Sequence, residues 1–158
     1  MDMLKFFKNI FGESFKEGEH IKVYFPIKFA DETFGTETLW CQKVGRYWRV
    51  DNIPFYATNI ALNDLIEIEN EDKKYWFKDI IEESGHSVVQ LKYNEDKTQT
   101  EIGSEFELFG CTWEGFKDQN FLAINIPAEV NYEGISNFLQ EGFKNGRWSY
   151  NEACLGSK

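Results

Sequence analysis

The sequence is poor in the residues that build most metal and disulfide sites. It has two histidines, three cysteines and three prolines in 158 residues. Cys41, Cys111 and Cys154 are odd in number and widely spaced, which argues against a secreted disulfide framework and favours a reducing cytoplasm. Close Cys-x-x-Cys and His-x-x-x-His pairs, typical of structural zinc, are absent. We therefore predict a cytoplasmic protein without a metal ion.

Long apolar runs and common catalytic motifs are also missing. No stretch reaches the roughly 18 consecutive apolar residues of a membrane span, and the first residues lack the apolar block and cleavage site of a signal peptide. Neither a Gly-x-Ser-x-Gly elbow nor a glycine-rich phosphate loop occurs. These absences predict no membrane partner, no cofactor and no catalytic residue.

Aromatic and acidic residues are abundant instead. The chain has 15 Phe, 7 Tyr and 5 Trp, and its net charge is −10 at pH 7. Residues 61–110 carry more than twice as many acids as bases. The negative electrostatic field of such a chain repels nucleic acid and speeds the approach of a cationic partner. Exposed aromatic rings can anchor that partner. We therefore expect a basic protein partner and no nucleic acid; an acidic surface that only keeps the protein soluble is the alternative.

Hydrophobic periodicity divides the chain into a leader and two lobes. In residues 1–19, Leu4, Phe7, Ile10 and Phe11 fall on one helical face, which predicts a short helix. From residue 20 to 83 the pattern alternates as in β-strands, with turn residues between short segments. We predict an antiparallel small barrel or curved sheet here, and Pro26 places the first strand at a sheet edge or a bulge.

The second lobe, residues 84–158, has a mixed pattern. Thr98 with Glu101 predicts a capping box at the start of a helix, and Asn131 predicts the cap of a second one. The resulting order, β-α-β-β-α, is ferredoxin-like but lacks or borrows its last strand, and Ser149 with Glu152 predicts a short terminal turn. The fold class is therefore α+β, with the two lobes packed together at a boundary near Ser84-Gly85.

The clearest candidate surface lies where acids and aromatics coincide. In the predicted strand 65–69, Glu67 and Glu69 point to one face while Ile66 and Ile68 point to the other. Such a row can present charge to Lys or Arg of a partner, although a solvated face is the commoner case. The predicted partner-binding residues are Asp64, Glu67, Glu69, Glu71, Asp72, Tyr75, Trp76, Glu82 and Glu83.

A second candidate site uses the histidine of the lobe boundary. His86 follows two acids, so a carboxylate could poise its imidazole as a general base; a turn histidine with satisfied ring nitrogens is the simpler interpretation. This alternative ligand site comprises Asp51, His86 and Trp113. Trp40 and Trp48 lie on neighbouring strands of one predicted hairpin, which favours a pair across it.

Five stretches carry a resemblance to a known family. They are residues 37–40, 50–55, 84–87 and 110–115, and the end of the chain from Gly146-Arg147-Trp148 to residues 152–156. Spread from about residue 20 to 156, they resemble the bacterial domain-of-unknown-function family numbered forty-two sixty-five. The resemblance implies no activity that can be carried over. An acidic, aromatic-rich body behind a Lys-Phe-Phe-Lys leader is also similar in style to immunity proteins of toxin–immunity systems.

These features together favour binding over catalysis. We expect an immunity protein that neutralises a basic toxin, plausibly a nuclease, by covering its active site. The alternative from another class is a small enzyme or ligand-binding domain whose site lies between the lobes near His86.

Overall fold

The structure is a computed structural model that describes residues 14–116 and 118–156. It confirms the α+β class. The predicted leader helix, with Leu4, Phe7, Ile10 and Phe11, lies outside the described residues. The elements are β1 (His20–Lys28), β2 (Phe34–Val44), β3 (Tyr47–Val50), β4 (Leu65–Glu71), β5 (Lys74–Glu82), β6 (Ser87–Tyr93), α1 (Gln99–Glu107), β7 (Thr112–Gly115), β8 (Phe121–Ile126), α2 (Tyr132–Lys144) and β9 (Trp148–Cys154).

Strands β1 to β5 form a closed barrel in chain order. Consecutive strands pair antiparallel, and a parallel bridge between Tyr24 of β1 and Trp76 of β5 closes the barrel. The alternation in β1 turns Val23, Phe25 and Ile27 into the core. Pro26 lies beyond the closing bridge, where β1 pairs with β2 but not with β5. The N–H that proline lacks is therefore not needed for a hydrogen bond to β5.

The predicted pair of Trp40 and Trp48 is wrong. The register of β2 and β3 places Lys43 opposite Trp48, so the two indoles belong to opposite faces of the hairpin. Trp48 is buried inside the barrel, where Phe15 packs edge-on against it at 5.0 Å between ring centroids. Trp40 points outward and is 44% exposed.

The second sheet has the order β7-β8-β6-β9 with antiparallel neighbours. Helices α1 and α2 pack on one of its faces, around a core that includes Leu91, Phe106, Ile124 and Leu139. The order β-α-β-β-α-β is therefore a complete ferredoxin-like fold. The predicted short terminal turn is wrong because residues 148–154 form β9, which pairs with β6 and supplies the fourth strand.

Local sequence signals set the starts of both helices as predicted. Thr98 Oγ1 accepts the Glu101 N–H at 3.2 Å, and Glu101 Oε2 accepts the Thr98 N–H at 2.8 Å, which completes the capping box. Asn131 Oδ1 caps α2 by accepting the Glu133 N–H at 3.0 Å. Gly110, with φ +91°, adopts the left-handed conformation that ends the first helical segment.

The barrel packs on the face of the second sheet that carries no helix. The segment 51–64 between β3 and β4 fills this junction, with a small apolar cluster at its centre. The Asn59 N–H donates to the Ala153 carbonyl at 2.8 Å, and the Gln90 amide donates to the Ala57 carbonyl at 3.2 Å. The cluster consists of Ile53, Ala61, Val88, Ala123 and Ala153. Division into independent domains near Ser84-Gly85 stays a prediction.

Candidate functional sites

The predicted acidic row forms the outer face of the β4–β5 hairpin. Ile66 is fully buried in the barrel, whereas Glu69 and Glu71 are exposed and Glu67 is partly exposed. The strand register places Asp79 opposite Glu67, Trp76 opposite Glu69, and Lys74 opposite Glu71. We call these six outward residues the acidic face: Glu67, Glu69, Glu71, Lys74, Trp76 and Asp79.

The charges of the acidic face are only partly compensated within the chain. Lys78 Nζ lies 3.9 Å from Glu67 Oε1, at the limit of an ion pair and with both side chains about half exposed. Asp79 faces Glu67 directly across the hairpin, and like charges in this position repel. The arrangement leaves negative potential on this side of the barrel.

An aromatic pair lies beside these acids, where β5 meets β1. The rings of Trp76 and Tyr24 have centroids 5.3 Å apart, and the Lys74 ammonium lies 5.1 Å from the Tyr24 centroid. Both aromatic residues are half-buried, so part of each ring reaches the solvent. Tyr75 points the other way and packs against Phe15 at 5.6 Å inside the barrel. Tyr75 therefore does not belong to the outer face, contrary to the prediction.

Asp64 is not on the surface either. It is 2% exposed, and its two carboxylate oxygens accept the N–H groups of Ala61 and Ser84, each at 2.9 Å. Its role is structural, since it joins the end of the segment 51–64 to the connection that leads into β6. A buried acid whose two oxygens both accept backbone N–H groups is not available to a partner.

The other predicted acids separate along the hairpin. Asp72 lies in the tight turn at one end, where Asp72 and Lys73 both have positive φ. Glu82 and Glu83 are exposed at the other end, beside a depression that Arg49 also lines. The hairpin thus carries acids along its whole length rather than in one compact patch.

The three residues of the alternative ligand site are held by different partners. Asp51 Oδ2 lies 3.0 Å from His20 Nε2. The His86 Nδ1 atom lies 2.9 Å from the Asn125 Oδ1 atom of β8, so this ring nitrogen has a side-chain partner. Trp113 packs against Gly103 of α1 and donates its indole N–H to Glu107 at 2.8 Å. These contacts account for all three side chains by packing and hydrogen bonding, and none of them builds a catalytic pair with another.

A site that the sequence did not reveal lies at the junction between barrel and sheet. The Glu37 carboxylate accepts three backbone N–H groups, from Phe55 at 2.7 Å, Tyr56 at 3.0 Å and Ala57 at 2.8 Å. We call these three hydrogen bonds the Glu37 clamp. They fix the backbone of residues 55–57, from which the rings of Phe55 and Tyr56 project. Only the hydrogen bonds of the folded chain reveal it, because residues 37 and 55–57 belong to different elements.

Phe55 and Tyr56 organise an aromatic cluster at the surface. Phe116 lies 4.2 Å from Phe55 and 6.3 Å from Tyr56, while Phe121 lies 5.9 Å from Tyr56 on the other side. Phe29 of the barrel meets Tyr56 edge-on at 5.9 Å. Tyr56 and Phe29 are each 40% exposed, so the cluster forms the walls of open clefts rather than a closed core.

Two adjoining clefts share Phe55 and Tyr56 as a common wall. The first, of about 360 Å³, also contains Lys28 and Lys92, and we call it the lysine cleft. The second, of about 400 Å³, contains Trp40 and Glu114, and we call it the glutamate cleft. Partial desolvation and the nearby charge of Asp51 raise the pKa of Glu114. Both volumes fall in the range typical of small-molecule sites.

The described residues offer no cluster of three or more His, Cys, Asp and Glu side chains that could hold a metal ion. The three cysteines are free thiols. Cys41 and Cys111 are buried, and Cys154 is half-buried. Burial, with a smaller effect of Asp51, raises the pKa of Cys41 to about 12. Over the same residues, neither helix has the length and apolar character needed to cross a membrane.

The architecture defines a class: a closed five-stranded barrel joined to a ferredoxin-like α+β sheet through a buried connecting segment. The chain belongs to the family described as domain of unknown function (DUF4265), whose model matches residues 37–150. The match includes the Glu37 clamp, the acidic face and most of both clefts. This confirms the family resemblance of the sequence.

A hypothetical protein from Neisseria gonorrhoeae has a similar crystal structure. The TM-score is 0.78, and the match covers 92% of this chain and 100% of that one. At 22% sequence identity the likeness shows the shared fold alone. No curated protein matches the chain.

Proposed function

We propose that this protein binds a basic protein partner through the acidic face, and that the partner is a toxin which it neutralises in the cytoplasm. The observation that carries the proposal is the aromatic pair Trp76–Tyr24 beside the row of acids on β4. Interfaces typically combine a rigid aromatic anchor with a polar, charged rim, and tryptophan and tyrosine are common anchors.

The charge of the acidic face favours a cationic partner. Glu67 and Asp79 repel each other in the free protein, and an Arg or Lys of the partner placed between them would relieve that repulsion. The surrounding field would speed the encounter at low salt. Nuclease toxins that bind phosphate backbones carry the complementary positive charge, so a nuclease is the partner class that this surface fits best.

The mechanism in this proposal is occlusion. A rigid barrel that covers the basic groove of a nuclease would exclude its substrate without any chemical step. Loss of one partner from a desolvated charge pair typically costs ~2–5 kcal/mol of binding, so a few such contacts suffice for tight binding.

The experiment compares the wild type with the double variant Glu67→Lys/Glu69→Lys. Each tagged protein is used to capture partners from lysate of the source organism at low salt. The captured basic protein is then purified, its association rate is measured with both proteins, and its toxicity is tested with and without co-expression. We expect association at least about tenfold slower for the double variant at low salt, and loss of protection.

The matched control is Glu95→Lys/Glu141→Lys, which changes the net charge equally at exposed acids outside the acidic face. Equal association rates for the acidic-face variant and this control would refute the assignment of the surface. A captured partner that is not toxic would refute the immunity role while leaving the binding surface intact.

A further inference from the structure

The lysine cleft has a charge that contrasts with the rest of the protein. The chain carries 27 Asp and Glu against 17 Lys and Arg, yet none of the described residues that line this cleft is acidic. Two of them, Lys28 and Lys92, are cationic and exposed. The cleft is therefore an electropositive recess in an acidic protein, which is the environment that an anion prefers.

Lys92 is available for a ligand. Its side chain makes no ion pair or hydrogen bond with a described residue. On the sheet it lies between Phe121 of β8 and Ser149 of β9, its neighbours in the two strand registers. An ammonium group, an aromatic ring and an exposed hydroxyl thus stand side by side on the face that carries no helix. Glu95 and Asp118 share a separate depression with Lys92 and Phe121.

Lys28 approaches from the barrel. It ends β1, next to Phe29, whose ring meets Tyr56 edge-on. Its ammonium lies 5.9 Å from the ring centroid of Phe34, an exposed and weak contact. The cleft therefore receives one lysine from each side of the junction, and the rings of Phe29, Tyr56 and Phe121 also line it.

The base of the cleft is held in place by hydrogen bonds. The Gln90 side chain donates to the Ala57 carbonyl at 3.2 Å and accepts from the Asn151 amide at 3.4 Å. The Glu37 carboxylate accepts the backbone N–H of Tyr56, which fixes the position of this residue. These bonds preorganise the aromatic wall, which lowers the entropic cost of binding a ligand.

From this arrangement we infer that the lysine cleft binds a planar organic anion, an aromatic ring that carries a phosphate or carboxylate group. The ring packs on Tyr56 and Phe121, and the anion pairs with Lys28 and Lys92. A cavity of about 360 Å³ accommodates one mononucleotide-sized molecule. The glutamate cleft beyond Tyr56 is lined by two carboxylates, Glu37 and Glu114, against one lysine, Lys22. It therefore disfavours the same ligand, which limits binding to one side of the wall.

Calorimetric titration of the full chain tests this inference with four probes. AMP and 2-naphthoate each combine a ring with an anion, adenosine supplies a ring alone, and inorganic phosphate supplies an anion alone. We expect saturable binding of one equivalent of AMP or 2-naphthoate, at least about tenfold tighter than adenosine or phosphate. Binding of AMP alone would indicate a phosphate ligand, and binding of 2-naphthoate would indicate a carboxylate.

Variants place the binding in the cleft. Lys28→Gln and Lys92→Gln should each weaken binding by about tenfold, since each removes a charge-assisted contact. Lys144→Gln removes the same charge from an exposed residue of α2, outside both clefts and the acidic face, and should leave the affinity unchanged. The inference is overturned if neither ring-bearing anion binds at millimolar concentration, or if both cleft variants bind like the wild type. It is independent of the proposed protein partner, since the acidic-face variants leave the cleft intact.

Discussion

Asp79 of β5 lies directly opposite Glu67 of β4, so two carboxylates face each other across the hairpin of an acidic protein. We expect Asp79→Lys to raise the free energy of unfolding by about 0.5 kcal/mol at low salt, because it replaces repulsion with attraction. Urea unfolding at low and high ionic strength measures the effect, which salt should diminish.

Glu129→Lys is the control for this change, since Glu129 is exposed and lies outside the hairpin. A gain in stability as large for Glu129→Lys as for Asp79→Lys would show that net charge, and not the opposed pair, is the cause.

Asp64 should be among the most sensitive positions for stability. Asp64→Ala removes the acceptor of two backbone N–H groups, that of buried Ala61 and that of half-buried Ser84. We expect a loss of about 3 kcal/mol in the free energy of unfolding. Glu83→Ala, at an exposed acid nearby, should stay within about 0.5 kcal/mol of the wild type. If urea midpoints of the two variants coincide, the structural role of Asp64 is disproved.

Two helical glycines should respond in opposite ways to the same substitution. A Cβ at Gly103 of α1 would overlap the indole of Trp113, which its hydrogen bond to Glu107 holds in place. Gly103→Ala should therefore cost about 2 kcal/mol. Gly134 of α2 has room, since its Cβ would lie 3.9 Å from Phe109.

Gly134→Ala should be neutral or stabilise the protein by up to about 1 kcal/mol through helix propensity. Thermal unfolding followed by circular dichroism compares the two variants. A stable Gly103→Ala protein with unchanged tryptophan fluorescence would contradict the close packing of α1 on Trp113.

The Cys41 thiol should make stability depend on pH in the alkaline range. Burial raises its pKa to about 12 in the folded state, whereas the thiol of the unfolded chain ionises near its ordinary value of 9.0. The unfolded state alone therefore loses a proton as the pH rises above 9, and the free energy of unfolding falls between pH 9 and 12. The slope from this group is at most about 1.4 kcal/mol per pH unit.

Cys41→Ala separates this contribution from those of other groups that titrate in the same range. The variant should be less stable at pH 7, because it leaves a cavity, but its stability should fall less steeply between pH 9 and 10. Urea unfolding at pH 8, 9 and 10 gives both quantities. Parallel curves for the two proteins would refute the role of the thiol.

Much of the fold could be predicted from local sequence. Alternation in β1, the capping box of Thr98 and Glu101, the Asn131 cap and the left-handed Gly110 all act within a few residues, so their signals are local. The last strand could not be recognised in this way. Ser149 and Glu152 fit a capping box, but pairing with β6 and burial of Trp148 against Gly142 favour a strand, and these contacts are distant in sequence.

The candidate sites show the same limit. The period of a strand correctly predicts that Glu67 and Glu69 point outward. It does not reveal that Asp64 is buried or that Tyr75 points into the barrel. The charge and size of a residue do not reveal which acidic side chain accepts hydrogen bonds from backbone N–H groups. The two clefts escaped prediction because their walls come from β1, β2, β6, β7, β8, β9 and the segment 51–64.

The α+β class, the starts of the helices and the acidic, aromatic-rich character of the chain could all be inferred from the amino-acid sequence. These properties depend on composition and on interactions between residues close along the chain. The closure of the barrel, the pairing of the last strand and the charges that line the junction became visible in the folded chain. Those outcomes arise from the packing of segments far apart in sequence, whose contacts stabilise the protein only after the chain has brought them together.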